Sequence, residues 1–185
     1  GLCFDLRRLA AQTLPKALTH LDGVRDDFAA KSLESCAVIA PDQIETLSYG
    51  AALPDRVILP AVQNSYRLGI YEESPAPLDW FQTVLERARS IIPKEKLVIG
   101  MAAGGVHWTT GAPAPEFISY ADAMSQADQY GAFAGYAPEK GHGLIADMEA
   151  RGERNRSWYL DAGSQYSQLL SIAEAGIDGV AIWGL

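Results

Sequence analysis

Apolar positions along the chain fall into two alternating patterns. Short continuous runs occur at residues 1–6 (GLCFDL), 36–41 (CAVIAP), 55–62 (DRVILPAV), 96–104 (KLVIGMAAG) and 179–185 (GVAIWGL). Such runs read as strands covered on both faces, which is the habit of parallel sheets. Between them the spacing lengthens to three and four. Leu14, Leu18, Leu21, Val24 and Phe28 predict a helix, and Trp80, Phe81, Val84, Leu85 and Ala88 predict another that begins near Asp79 as its N-cap. Residues 119–129 form a third, with Tyr120, Ala123, Met124 and Ala127 on one face, and residues 163–175 a fourth. Residues 42–53 read as irregular or weakly helical, and NSYRLGIYEESPAP (64–77) as a loop rich in turn residues. Residues 143–161 read as a hairpin, GLIADMEA and SWYLD around a polar turn, standing outside the sheet. Short strands alternating with helices predict an α/β fold of the barrel kind, with function at the carboxyl ends of the strands.

Composition narrows the partners. The 185 residues are 48% hydrophobic and 21% charged, which fits a single globular domain. A net charge of -8 argues against nucleic acid or an anionic membrane surface. No apolar run approaches the roughly 20 residues of a membrane span. Cys3 and Cys36 both lie in apolar runs and are expected as buried thiols; a disulfide is not signalled. With no CxxC and no His/Cys cluster, no metal and no cofactor are expected. AAGG at 102–105 is not followed by the Lys-Ser or Lys-Thr of a phosphate loop, so it is read as close backbone approach or a turn. The chain opens and closes inside predicted strands, which suggests a segment of a longer protein and leaves its location open.

The order DRVILPAVQNSY, SPAPLDWF, IPKEKLVIGMAAGGVHW, ISYADAM, SWYLDAGSQYSQLL, AGIDGVAIWGL resembles the family 18 glycoside hydrolases. It is most similar to the bacterial branch related to spore-cortex hydrolases, which includes modules fused to polysaccharide deacetylase and glycosyltransferase domains. The resemblance covers nearly the whole chain. It implies a (β/α)₈ barrel of which residues 1–185 supply one incomplete domain, the five strands matching the fourth to eighth. A whole barrel takes about 250 residues.

The resemblance also implies a site. The family signature DG-x-D-x-D-x-E closes its fourth strand, and GLCFDLR matches from its glycine. Cys3 takes the middle Asp, Asp5 takes the Asp two before the catalytic acid, and Arg7 takes the acid itself. In the family the substrate's acetamido oxygen attacks the anomeric carbon while the Glu protonates the leaving oxygen, an exception to the two-carboxylate scheme. A guanidinium with a pKa above about 12 cannot donate that proton. Where the family's sixth strand carries Tyr and Asp, this chain has Val62 and Gln63; Trp183 matches the tryptophan flooring the sugar site, and Trp108 an aromatic beside the cleft.

The expectation is a degenerate module that binds an N-acetylglucosamine polymer or supports a covalently linked deacetylase or glycosyltransferase domain, at the cell envelope or outside the cell. The alternatives are an active hydrolase with a displaced acid (Glu72, Glu73 or Glu149) and a purely structural segment. Each residue has a plainer reading. Asp5 is then a structural acid held by Arg7 or Arg8, and Trp183 is core. His107 is a satisfied polar residue, His20 a helix-surface residue and His142 a loop residue. Asp147 and Glu149, on one face of a strand, are solvated rather than an acid pair.

Overall fold

The computed structural model describes residues 1–47, 52–63, 73–150 and 153–184. In chain order the elements are β1 (Leu2–Asp5), α1 (Leu14–Gly23), α2 (Arg25–Ala29), β2 (Ser35–Val38), a 3-10 helix (Pro41–Thr46), β3 (Arg56–Pro60), α3 (Leu78–Ile91) and β4 (Leu97–Ala102). There follow β5 (Gly105–Thr109), β6 (Glu116–Ile118), α4 (Tyr120–Tyr130), β7 (Ala134–Ala137), β8 (His142–Ala150), β9 (Glu153–Tyr159), α5 (Ala162–Glu174) and β10 (Gly179–Trp183). The chain divides into two compact units, Gly1–Ala61 with Gln82–Gly100 and Ser171–Ala181, and Val62–Phe81 with Met101–Leu170 and Ile182–Leu185.

The first unit is built on the five parallel strands, ordered β1-β2-β3-β4-β10. The sequential order is that of a barrel segment. Register explains the burial. Ala37 lies opposite Val57 and Val57 opposite Leu97, while Leu59 lies opposite Ile99. All five are fully buried, so one face of the sheet is core. Side chains alternate along a strand, so the other face carries Cys3 opposite Cys36, and Asp5, Val38, Ile58 and Val98 in one row. That face is less covered: Cys3 and Asp5 are exposed, and Cys36, Ile58 and Val98 are half-buried.

Three local readings change. The helix predicted from Leu14 to Phe28 breaks at Gly23–Val24, where a poor helix former meets a residue outside helical geometry; α1 buries Leu14, Leu18 and Leu21, whereas α2 buries nothing. The helix α3 starts one residue earlier than predicted, so Asp79 is in its first turn rather than its N-cap, with Oδ1 accepting from the Trp80 amide at 2.7 Å. Cys3 and Cys36 are not buried thiols but a disulfide, Cα–Cα 4.3 Å, because the parallel register sets them side by side on neighbouring strands.

The second unit holds an antiparallel sheet ordered β6-β5-β9-β8-β7. The predicted hairpin is β8–β9; it stands outside the parallel sheet as expected and forms the middle of this antiparallel one. Ile118, Ala123, Ala127, Ile145 and Tyr159 form a cluster between α4 and one face, and Trp108, Ala137 and Trp158 form another on the opposite face. The Ser119 hydroxyl caps α4, accepting from the Asp122 amide at 3.1 Å. The glycine pair after β4 makes the approach expected of it: a Cβ on Gly105 would fall on the Trp158 carbonyl, and Gly104 sits at φ 137°. Among the described residues no helix is long and apolar enough to cross a membrane.

Candidate functional site

Asp5 ends β1, and Arg7 turns back onto it. The guanidinium is bidentate, Nε to Oδ1 at 2.9 Å and Nη2 to Oδ2 at 2.7 Å, and the Arg7 amide donates to Oδ1 at 3.2 Å. Charge-assisted forks of this kind combine strength with fixed geometry. They hold the Asp5 carboxyl down to about 2, with the Arg7 side chain as the main cause, its backbone amide adding to it, and the charges of Arg7 and Arg8 adding less. The pair is not the buried one that an apolar strand suggested. Asp5 is 52% and Arg7 38% exposed.

Two ties fix the strand end that carries this pair. One is the Cys3–Cys36 bond. The other is Gln43, buried on the 3-10 helix. Its Nε2 donates to the Leu6 carbonyl at 3.1 Å and the Leu9 carbonyl at 2.9 Å, and its Oε1 accepts from the Ala40 amide at 2.8 Å. Neither tie was read from the sequence. Cys3 and Cys36 are 33 positions apart and Gln43 is 34 from Leu9, so only strand register and the return of the chain bring them together.

The other expected site residues belong to the second unit. Gln63 follows β3 by three positions; its amide donates to the Pro75 carbonyl at 2.6 Å, and its buried Oε1 has no hydrogen-bond partner among the described residues. Trp183 is the last residue of β10, and its carbonyl accepts from the Ala103 amide at 2.9 Å. Trp108 is buried to 4% exposure, with Nε1 donating to the Glu73 carbonyl at 3.2 Å. Asp5 and Arg7 are together in the first unit, and Gln63, Trp108 and Trp183 belong to the second. Glu72 and the side chains of Asp147 and Glu149 lie outside the described residues.

No family model matches the chain. A curated relative, the cortical fragment-lytic enzyme of Bacillus subtilis (strain 168), is 26% identical over 197 residues, covering 98% of this chain and 45% of the relative. Among solved structures, the spore cortex-lytic enzyme SleL of Bacillus cereus superposes with a TM-score of 0.86 at 21% identity, covering 98% of this chain and 44% of that one. A chitinase from Chromobacterium violaceum gives 0.80 at 18% identity, covering all of this chain and 61% of that one. The fold is that of the family 18 glycoside hydrolases. This chain spans less than half the length of the curated relative it matches.

Within this family-18-like fold the second unit buries a polar group that the sequence did not announce. His142 opens β8 at 1% exposure, with Nδ1 on the Ser74 hydroxyl and Nε2 facing Gln168 Nε2 at 3.5 Å. Burial pushes the imidazole down to about 4, against the nearby charges of Asp161 and Glu73. The loop placement expected for His142 is thus corrected: Gly141 at φ 66° turns the chain, and His142 points inward from the strand that follows. His107 is a satisfied polar residue, Nδ1 to Ser157 Oγ at 2.8 Å. Glu73 is committed, Oε2 to Lys140 Nζ at 3.0 Å and Oε1 to the Ser74 amide at 3.0 Å. Among the described residues no three His, Cys, Asp or Glu side chains gather as a metal set.

Proposed function

We propose that this family-18-like module binds an N-acetylglucosamine-containing polysaccharide of the cell-wall or chitin kind without cleaving it. One observation carries the reading: Arg7, which the sequence resemblance matches to the family's proton donor, is locked bidentately onto Asp5, which the same resemblance matches to a retained carboxylate. A guanidinium gives up no proton at any working pH, and an Asp held near 2 stays an anion. General acid catalysis contributes about 10²–10⁴-fold, so its absence leaves binding as the retained activity. The relatives support the substrate class, since they are by name a cortical fragment-lytic enzyme, a spore cortex-lytic enzyme and a chitinase. Gln63 and Trp183, each following or ending its own strand, are the proposed sugar contacts, an amide for hydrogen bonds and an indole face for the apolar side of a sugar ring. Trp108 is the proposed aromatic support. The reading of a displaced acid at Glu73 is the weaker one, because both of that carboxylate's oxygens are already engaged.

The test is a titration of the full chain with an N-acetylglucosamine hexamer, alongside an assay for new reducing ends. Saturable binding without turnover is expected. Hydrolysis by the unaltered chain that disappears in Asp5→Ala, with the variant shown by its melt to be folded, would overturn the degenerate reading.

A further inference from the structure

Gln63 and Trp108 are both held by one short strap, residues 73–77, just ahead of α3. The Gln63 main-chain amide donates to the Pro75 carbonyl at 2.6 Å, and Trp108 Nε1 donates to the Glu73 carbonyl at 3.2 Å. The strap is neither helix nor strand, yet it is buried from Ser74 to Pro77. Buried backbone needs the partners that regular structure would otherwise supply, and Pro75 and Pro77 have no amide hydrogen to give. Side chains fill the gap. Glu73 Oε1 accepts from the Ser74 amide, and Ser74 Oγ accepts from the Ala76 amide at 3.4 Å. His142 reaches the same hydroxyl from the first position of β8. Gln168 Nε2, a donor, faces the His142 Nε2 at 3.5 Å, which assigns the ring proton to Nδ1 and directs it to Ser74 Oγ. Ser74 is fully buried and His142 nearly so, which shields this contact from solvent. Lys140 grips the strap's two ends, its Nζ on Glu73 Oε2 and its carbonyl accepting from the Leu78 amide at 2.9 Å. All of these residues belong to the second unit.

We propose that His142 is a positioning residue for glycan binding: by fixing Ser74 it sets the Glu73 and Pro75 carbonyls against which Trp108 and Gln63 are held. The inference rests on the proposed glycan binding and adds the residue that orders its contacts. Ser74 stands between those two carbonyls in the sequence, so a shift of Ser74 moves both at once. The Lys140–Glu73 ion pair does not do this alone. It is partly exposed and grips the Glu73 side chain rather than the main chain between the carbonyls. Contacts set in advance lower the cost of ordering them around a ligand.

The experiment reads two things on the full chain: affinity for an N-acetylglucosamine hexamer, and the indole N–H resonance of Trp108. That resonance is identified among the four tryptophans by its loss in Trp108→Phe. His142→Leu fills the space without a donor, whereas His142→Asn returns an amide nitrogen close to the place of Nδ1. His142→Leu should bind the hexamer about tenfold more weakly, the upper end of what one lost hydrogen bond costs. It should also shift the Trp108 resonance in a protein that still melts cooperatively, and His142→Asn should restore most of both. Ile145→Val is the control for stability alone. It trims the cluster on the face of the sheet away from Trp108, so it should lower the melt and leave affinity and resonance as they were. Where His142→Leu does not fold, Ser74→Ala removes the same contact and carries the same expectations. Unchanged affinity or an unmoved resonance in the folded variant, an equal loss in Ile145→Val, or no recovery in His142→Asn overturns the inference while glycan binding stands. Absence of hexamer binding by the unaltered chain removes the glycan reading and the inference with it.

Discussion

His142 sets an acid limit on the second unit. Its imidazole is neutral in the folded chain because burial outweighs the attraction of Asp161 and Glu73, and its pKa sits at about 4 against an ordinary 6.5. The unfolded chain takes up the proton first as pH falls, so this residue's contribution is intact above 6.5 and is lost progressively on the way to 4. The full loss is about 3 kcal/mol. Urea unfolding followed from pH 7 to pH 4 should show this slope, and His142→Gln should flatten it even if the variant is less stable throughout; an unchanged slope in the variant would assign the acid sensitivity to other groups. The Asp5–Arg7 pair behaves differently. It is half exposed and keeps its charge down to about 2, so it adds no comparable slope in this window. The lone histidine in GHG looked like a loop residue because nothing in its neighbours reports a hydroxyl 68 positions away.

Each sheet puts a different demand on its elements. The antiparallel one needs Gly105, whose Cα is pressed against the backbone of Trp158 and Tyr159. Backbone cannot swing aside as a side chain can, so Gly105→Ala should cost about 1–3 kcal/mol, the range for overpacking a filled site. Gly23, at the end of α1 with nothing within 4 Å of a would-be Cβ, is its counterpart. Gly23→Ala should be neutral or stabilise by up to about 1 kcal/mol. Paired thermal melts check both, and a Gly105→Ala chain as stable as Gly23→Ala would mean that the backbone of Trp158 and Tyr159 yields to the added methyl. The same contrast marks what was legible. The parallel strands announce themselves because both their faces are apolar, as in LVIGMA. So do α3 and α4, whose burial repeats at helical spacing. β5, β6 and β7 are three to five residues long and mix Glu116, His107 and Tyr136 with apolar positions, so no period emerges from them. At the site, Asp5 and Arg7 could be named from one heptapeptide. Gln43 could not, because its role depends on carbonyls, which every residue has.

Across the whole molecule the Cys3–Cys36 bond makes a closed ring of the chain between β1 and β2. Closing a loop of 33-residue separation stabilises by about 4 kcal/mol in the chain-entropy account, and the bond persists where surroundings are oxidising. It also fastens β1 to its neighbour β2. The ring has one more property. Continuity of the polypeptide and attachment of β1 become independent of each other. A protease that cuts after Lys31, exposed between α2 and β2 and followed by Ser32 at φ 54°, severs the sequence yet frees nothing. The nicked species should run as a single molecule on a gel without reductant and as two pieces with it; release of residues 1–31 without reductant would show the bond absent. Asp5 and Arg7 would thus be held by an amino-terminal fragment that no longer shares a backbone with the protein it serves, a two-chain module produced from one gene by a single cut.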